Sequence, residues 1–283
     1  MARITLCVVM GGAMAAGSAH GAAFEVRNAV ARVTVIPEPR SDVKVEVVKA
    51  HGSLPLTVRA EGDRVVVDGK LGARPINCHS RGGIVRVRVL GIGEIAYADM
   101  PQVVVRTPKA VVGTASGAVF GVVGKSDSLD LGNSGCGDWM FANVSGRARL
   151  RESGSGDIKM GTSRELDVRT AGSGDVIAGS VAGPVTVAGS GSGDVKAASV
   201  NGAVDINIAG SGDVLIAGGH ATEASVSVAG SGDINLNLVA ESLRASVAGS
   251  GDVRVKQVTG SVSKSTAGSG SILIGRSKDE DAE

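Results

Sequence analysis

The feature that most constrains this 283-residue sequence is a five-residue motif that recurs at an almost constant spacing from residue 115 onward. Its commonest form is Gly-Ser-Gly-Asp followed by Val or Ile, and consecutive copies begin 18–20 residues apart. The nine copies begin at Ala115, Gly135, Gly154, Gly172, Gly191, Gly210, Gly230, Gly249 and Gly268. Such a fixed period predicts a repeat architecture in which every copy is one small structural unit stacked on the next.

The pattern inside each repeat is that of β-strands. The fifth motif position is apolar in all nine copies, and later residues alternate between apolar and polar, as in Val204–Ile208. Alternation with a period of two is typical of a strand, and about 19 residues are too few for a strand plus a crossover helix. We therefore predict an all-β fold, a single-stranded parallel β-helix of about nine rungs with two or three short strands per rung. The motif glycines are expected at corners that need positive φ angles.

The first segment of the chain, residues 1–22, has the pattern of a secretory signal peptide. Arg3 precedes an apolar run of about 13 residues, and small residues follow it. We expect cleavage after Ala22 or Ala23, with Ala19 as the alternative. An uncleaved membrane anchor is the competing interpretation, but the run is shorter than the roughly 20 residues that span a bilayer. The mature chain is therefore expected to lack a transmembrane segment and to be exported to the periplasm, the outer surface or the medium.

Three further segments follow in the mature chain. Residues 23–112 alternate strongly between clear turn signals and are expected to form an N-terminal β region that caps the helix, because a bare end would expose unpaired backbone groups. Residues 113–275 contain the repeats. Residues 276–283 are highly charged, and we expect a solvated tail that discourages end-to-end stacking. A specific binding tail is the alternative.

The composition argues against several classes of function. Lys and Arg total 29 and Asp and Glu total 28, so no excess of positive charge favours nucleic acid. The four histidines are scattered and lack the spacing of metal ligands. No repeat carries a long insertion that could build a catalytic groove, and the motif aspartates occupy equivalent settings, so nothing separates a general acid from a base. We predict no catalytic residue and no cofactor.

Two sets of residues are the candidates for a site or a structural link. Stacking of the repeats would bring the motif aspartates about 5 Å apart in a ladder. Its carboxylates could accept hydrogen bonds from the Gly-rich corners, or, as the weaker alternative, hold a cation such as Ca²⁺ between rungs. The ladder consists of Asp138, Asp157, Asp175, Asp194, Asp213, Asp233 and Asp252.

The cysteines form the second set. Cys78 and Cys136 are the two that remain after removal of the signal peptide, and export would place them in an oxidising compartment. A disulfide between them would link the cap to the second repeat, and two unrelated buried thiols are the alternative. The aromatic residues Phe120, Trp139 and Phe141 lie near this junction and are expected to fill the core there.

The whole mature chain resembles one bacterial family, the head GIN domain proteins, often labelled putative auto-transporter adhesins. The resemblance rests on the serial Gly-Ser-Gly-Asp-Val/Ile motifs, the short alternating strands before them and the segment Met100–Val105, and it covers about residues 26–275. The sequence departs from the family pattern at Cys136 and Trp139, where other repeats have Ser and Val or Ile. The resemblance implies a β-helical secreted or envelope protein.

Together these features predict a non-catalytic exported envelope protein that offers an adhesion, scaffold or ligand-binding surface on a rigid β-helix. Its expected partners are an envelope protein or a glycan. The alternative function is a carbohydrate-active enzyme of the polysaccharide lyase or hydrolase kind, which also occurs on β-helices.

Overall fold

The computed structural model of the protein describes residues 22–72, 74, 76–81 and 84–275. Strands account for nearly all of its regular structure, and the predicted all-β parallel β-helix is confirmed. The chain divides into two compact units, Met1–Met140 and Phe141–Glu283. Both units are built as a parallel β-solenoid, and their repeats together count about nine turns. The predicted signal peptide up to residue 21 and the charged tail 276–283 lie outside the described residues.

The first unit contains long and short strands together with one short 3₁₀ helix at Tyr97–Asp99. Its strands are β1 (Ala23–Pro37), β2 (Lys44–Lys49), β3 (Thr57–Glu61), β4 (Arg64–Asp68), β5 (Ile76–Arg81), β6 (Ile84–Val89), β7 (Gly93–Ala96), β8 (Gln102–Thr107), β9 (Ala110–Val123) and β10 (Ser128–Asn133), and β11 (Trp139–Phe141) crosses the division between the units.

Parallel pairing in the first unit centres on β1. This strand pairs with β9 over most of its length and also with β4 and β8, while β10 adds to the other side of β9. The β1–β9 register shifts between Val26 and Ala29, where Asn28 has φ 50°. Solenoid-type pairing therefore begins at residue 23, ahead of residue 113, where the sequence analysis places the first repeat.

A separate antiparallel sheet of β5, β6 and β7 covers part of this first unit. Its inner side chains Val87 and Val89 join a buried cluster with Val30 of β1 and Phe120 of β9. Phe120 alternates with Val119 and Gly121, and Gly121 faces Trp139 inside the solenoid, so Phe120 and its neighbour Val30 point outward. The sheet therefore covers apolar side chains on the outer side of β1 and β9 and keeps them from water.

The second unit contains only short strands. They are β12 (Arg147–Glu152), β13 (Ile158–Met160), β14 (Glu165–Thr170), β15 (Val176–Val181), β16 (Val185–Gly189), β17 (Val195–Asn201), β18 (Val204–Ile208), β19 (Val214–Ile216), β20 (Gly219–Ala221), β21 (Ala224–Gly230), β22 (Ile234–Ala240), β23 (Leu243–Gly249), β24 (Val253–Val258), β25 (Val262–Gly268) and β26 (Ile272–Ile274).

The strands of the second unit pair in parallel with the equivalent strands of the neighbouring repeats. Ile206, for example, pairs with Val187 in the preceding turn and with Val226 in the following turn. The strand β18 is buried at alternate positions, so Ile206 points inward while Asp205 and Asn207 point to solvent. A repeat of about 19 residues therefore stacks apolar side chains on apolar side chains in a continuous interior column.

The three aromatic residues near the start of the repeats are all core residues. Trp139 is fully buried, and Phe120 and Phe141 are 6% and 5% exposed. Gly121 makes room for Trp139, because a Cβ on this glycine would overlap the indole ring. The expectation that these rings fill the core agrees with their burial, and none of them offers a flat platform to a ligand.

The motif glycines serve the expected purpose at some corners and a second purpose at others. At the first motif position, φ is 153° at Gly230, 143° at Gly249 and 129° at Gly268, in the region that favours glycine. Within the described part of the chain, the third motif position has a left-handed φ only at Gly117, at 98°. At Gly212 a Cβ would instead overlap the carbonyl of Gly193 in the preceding turn. The corners of successive turns thus stack backbone on backbone, and glycine is required there because no side-chain atom fits between them.

Candidate binding surface

The motif aspartates form a hydrogen-bonded ladder along one corner of the second unit. In each turn the backbone N–H of the aspartate donates to Oδ1 of the aspartate one turn earlier. The donor–acceptor distances are 3.1 Å for Asp175 to Asp157, 2.9 Å for Asp194 to Asp175, 3.0 Å for Asp213 to Asp194, 2.8 Å for Asp233 to Asp213 and 2.8 Å for Asp252 to Asp233.

The ladder ends at Ser271, which replaces aspartate in the last repeat. Both its backbone N–H and its hydroxyl donate to Oδ1 of Asp252, at 2.9 and 2.8 Å. These bonds, the hydroxyl bond first, together with the nearby charge of Arg254, hold the pKa of Asp252 below its ordinary value. The carboxylate at this end of the ladder therefore stays ionised.

Cations of the protein itself partly offset the repulsion between the stacked carboxylates. Lys196 Nζ lies 3.3 Å from Asp194 Oδ2, and an Arg254 guanidinium nitrogen lies 2.9 Å from Asp252 Oδ2. Within the parts of the chain that the structure describes, no three His, Cys, Asp or Glu side chains converge as metal ligands. The ladder thus uses one oxygen of each acceptor carboxylate to connect turns, which is a structural use of the motif aspartate.

Cys78 and Cys136 are joined in the structure by a disulfide with a Cα–Cα distance of 5.8 Å. Cys78 lies on β5 of the antiparallel sheet, and Cys136 lies in the corner after β10. Both pack at the edge of the buried cluster of the first unit. The bond closes a segment of 58 residues and connects the sheet of β5, β6 and β7 to a solenoid corner.

A separate surface feature lies on the second unit, where the outward side chains of four successive turns form an open groove of about 590 Å³. The side chains that give the groove its chemistry come from β12, β14, β16, β18 and the corner that follows β16. They are Arg151, Arg169, Thr186, Ala188, Ser190 and Asn207. We call this surface the Arg169 groove.

Strand pairing places two arginines side by side at one end of the Arg169 groove. Arg151 is the register partner of Arg169 on the neighbouring strand, and one turn further on the register position holds only Ala188. The small side chain of Ala188 leaves space beside the arginines, and Thr186, Ser190 and Asn207 continue the groove with hydroxyl and amide groups. The groove therefore has two arginines at one end and hydroxyl and amide groups at the other, where Nδ2 of Asn207 donates to Oδ1 of Asp205 at 3.2 Å.

The charges around Arg169 leave its guanidinium available. Asp167 is 8% exposed, and its Oδ2 lies 3.1 Å from Nε of Arg149. The Nε of Arg169 lies 3.6 Å from the other oxygen, Oδ1, which is beyond hydrogen-bond distance. The Arg169 side chain is 65% exposed. Its donors consequently face solvent, while Asp167 compensates part of the local positive charge.

The groove does not contain the paired carboxylates of a glycosidase. Glu152 is the acidic residue among its lining side chains, but it is 1% exposed and its Oε1 accepts the backbone N–H of Gly154 at 2.6 Å. General acid–base hydrolysis of a glycoside needs two carboxyl groups on either side of the scissile bond. The described residues that line the groove therefore do not supply such a pair of carboxyl groups.

Sequence reasoning missed the Arg169 groove. The signal was present, because Arg147, Arg149 and Arg151 alternate along one strand and Arg169 follows Arg151 by one 18-residue repeat. Aligning the outward positions of the repeats would have placed the two arginines side by side. The repeat motif does not reveal them, because they occur at one place in the repeat array and not in every repeat.

Two solved structures match this chain over most of its length. The chain is similar to the crystal structure of a putative lipid binding protein from Parabacteroides distasonis ATCC 8503, with a TM-score of 0.54 and 20% identity over 89% of this chain and 92% of that chain. The crystal structure of a putative adhesin from Bacteroides fragilis NCTC 9343 has a TM-score of 0.41 and 16% identity, over 89% and 91% of the two chains. At such identities the similarity concerns the fold alone.

The family comparison is more specific. No curated protein matches the sequence. The model of a family described as "Putative auto-transporter adhesin, head GIN domain" matches residues 28–219 and 147–258. These matches cover both the N-terminal strands and most of the repeats whose stacking is described above. The chain therefore belongs to the head GIN domain family.

Proposed function

We propose that the protein is an exported, non-catalytic envelope protein that binds a ligand through the outer surface of its solenoid. The observation that carries this proposal is the Arg169 groove, which combines an exposed guanidinium with hydroxyl and amide side chains on a regular sheet surface. The family description as an adhesin and the description of one structural relative as a lipid binding protein both support a binding role.

The bonding of the motif aspartates also supports a role in binding rather than catalysis. Each acceptor carboxylate from Asp157 to Asp252 has one oxygen committed to a backbone N–H of the next turn. A general base must be able to approach a proton of the substrate, and a general acid must carry a proton itself. The hydrogen bond to the next turn fixes each of these carboxylates at its corner, which is a structural use of the group.

The start of the first strand supports export with cleavage after Ala22. Strand β1 begins at Ala23, and Phe24 is buried in the core. A cut after Ala22 would leave the whole strand in the mature chain. No helix in the described residues is long and apolar enough to cross a membrane. The N-terminal mass of the exported protein tests the position of the cut.

Binding to cell envelopes tests the function directly. Fluorescently labelled mature protein is incubated with envelope fractions that are untreated, protease-treated or oxidised with periodate. We expect saturable binding to the untreated fraction, with sensitivity to periodate if the ligand is a glycan and to protease if it is a protein. The absence of saturable binding to the untreated fraction would refute the proposal.

A further inference from the structure

We infer that the Arg169 groove binds an acidic oligosaccharide, with a carboxylate of the sugar at the arginine end and neutral sugar hydroxyls along the rest. The inference rests on the proposed function and specifies its ligand. It is drawn from the position, charge and neighbours of the groove residues, which place a cationic end and a hydroxyl-rich end on one continuous surface.

The arginine end has the chemistry to bind a carboxylate. The guanidinium of Arg169 makes no hydrogen bond with the described residues and is 65% exposed, and its nearest acidic group, Asp167, remains 3.6 Å away. The charged side chains that line the groove are Arg151, Arg169 and the buried Glu152, so one positive charge is in excess. The neighbouring Arg147 and Arg149 are paired with Glu165 and Asp167. A planar guanidinium presents parallel N–H donors that match the two oxygens of a carboxylate.

The remainder of the groove matches hydroxyl groups. Thr186, Ser190 and Asn207 are exposed, and the hydroxyl of Ser190 makes a long bond of 3.4 Å to the Thr170 carbonyl. The Nδ2 of Asn207 donates to Oδ1 of Asp205 at 3.2 Å, which holds the amide in place at the surface. Successive turns lie about 4.8 Å apart, so four turns span about 14 Å. That length suits an oligosaccharide of a few residues rather than a single small anion.

The surroundings favour a sugar over a lipid or a peptide. The exposed large apolar side chains of the described residues, such as Ile177 and Met140, do not line the groove, so acyl chains would remain in water. The backbone groups of β14 and β16 are already paired with the strands on either side, so an extended peptide cannot add to the sheet there. Side-chain hydroxyls, an amide and a guanidinium are what remain for recognition.

The mode of recognition predicts how binding depends on salt. No aromatic side chain lines the groove, so stacking on the sugar ring contributes nothing and the charged contact carries much of the affinity. The contact is exposed and is therefore screened by salt. We expect affinity to fall as ionic strength rises from about 50 to about 300 mM, because the screening length shortens over this range.

A titration with a uronate oligosaccharide tests the inference. The probe is an oligogalacturonate, and its carboxyl-reduced, neutral form is the matched control ligand. We expect the mature protein to bind the acidic form and to bind the reduced form at least tenfold less tightly, about the effect of losing one charge-assisted hydrogen bond. Equal binding of the two forms, or no binding of the acidic form, would overturn the inference.

Variants locate the binding site. Arg169→Gln should weaken binding about tenfold. The control is Arg244, an exposed arginine on β23 that points outward like Arg169, and Arg244→Gln should leave affinity within about twofold. Circular dichroism of both variants shows that the fold is retained. An unchanged affinity of Arg169→Gln, or an equal loss in Arg244→Gln, would place the binding elsewhere and contradict the inference.

Two further probes separate this ligand from the competing classes. Vesicles of phosphatidylglycerol and a poly-glutamate peptide carry anionic groups without sugar hydroxyls. If either probe binds more tightly than oligogalacturonate, and Arg169→Gln weakens that binding, the ligand is a lipid or a peptide and the inference is overturned. If the protein binds envelopes saturably but does not bind oligogalacturonate, the inference is refuted and the proposed function stands. If the protein does not bind envelopes either, the proposed function is refuted as well.

Discussion

At the scale of single residues, one carboxylate oxygen connects each turn of the second unit to the next. Oδ1 of a motif aspartate accepts the backbone N–H of the aspartate one repeat later, in five consecutive steps from Asp157 to Asp252. The N–H of a corner residue otherwise has no strand partner at this point, so the side chain replaces the missing ladder bond. The motif aspartate therefore serves here by supplying Oδ1 as an acceptor, and its negative charge is incidental to this role.

A pair of substitutions at Asp213 separates the acceptor from the charge. Asp213→Ala removes the acceptor for the Asp233 N–H and should lower the free energy of unfolding by about 1 kcal/mol. Asp213→Asn keeps an acceptor oxygen and removes repulsion from its neighbours, so it should be close to neutral. Urea unfolding of both variants measures the difference. A larger loss in Asp213→Asn than in Asp213→Ala would show that the charge matters instead.

The loss of folding stability at acidic pH should depend on Asp252. Its pKa in the folded protein is lowered, chiefly by the hydroxyl hydrogen bond from Ser271. A group of this kind stabilises the fold above its ordinary pKa of about 3.9, and that stability is lost as pH falls through the lower folded value. We expect the unfolding midpoint to drop less between about pH 5 and pH 3 in Asp252→Asn than in the wild type. Ser271→Ala should reduce the drop in part, and identical pH profiles for all three proteins would contradict the assignment.

At the scale of elements, corners with no room for a side chain alternate with strands that bury every second residue. The sequence predicts the strands well, because apolar alternation in β18 or β21 leaves one face to bury. It also predicts the need for glycine and one of its two reasons, the positive φ found at Gly230 and Gly249. It does not predict the close stacking found at Gly212. Positive φ and close stacking both select glycine, and the position of the neighbouring carbonyl decides between them only in three dimensions. The Arg169 groove was unpredictable from the motif for a related reason, since it depends on which outward residues become neighbours.

Two glycines of the same turn test the stacking of the corners. Gly212→Ala would place a Cβ against the Gly193 carbonyl, with the carbonyl carbon at 3.2 Å, and should cost about 1–3 kcal/mol or more of stability. At Gly218 the nearest atom to a new Cβ is the Ala198 carbonyl oxygen at 3.8 Å. Gly218→Ala should therefore be neutral or slightly stabilising, by up to about 1 kcal/mol. Similar unfolding midpoints for the two variants would argue against backbone stacking as the reason for the motif glycines.

The link between Cys78 and Cys136 is testable by mass. We expect the intact mass of the mature protein to rise by about 2 Da on reduction, as for one disulfide. Closing a 58-residue segment stabilises a fold by about 4 kcal/mol in the chain-entropy model, so the variant with both cysteines replaced by Ser should unfold at lower urea. Two thiols that react with iodoacetamide in the unfolded protein, without prior reduction, would rule out the bond.

At the scale of the whole molecule, stability is distributed over many similar contacts between neighbouring turns. The fold needs no bound ion in this account, because backbone donors and the side chains of Lys196 and Arg254 already contact the stacked carboxylates. Melting in excess chelator and in millimolar Ca²⁺ should therefore give the same midpoint. A rise of more than a few degrees with calcium would reveal a site that prefers the folded state and would favour the cation ladder of Asp157, Asp175, Asp194, Asp213, Asp233 and Asp252.

The central claim is that the protein binds an envelope component and does not cleave it. Chromatography of an envelope extract on immobilised mature protein tests this claim most directly. Retained material and flow-through are each analysed for polysaccharide chain length and for protein content. We predict specific retention of an envelope component, with the length distribution of the polysaccharides unchanged after prolonged contact. Shortened polysaccharide chains would identify a carbohydrate-active enzyme, and an extract that passes entirely unretained would contradict the binding role.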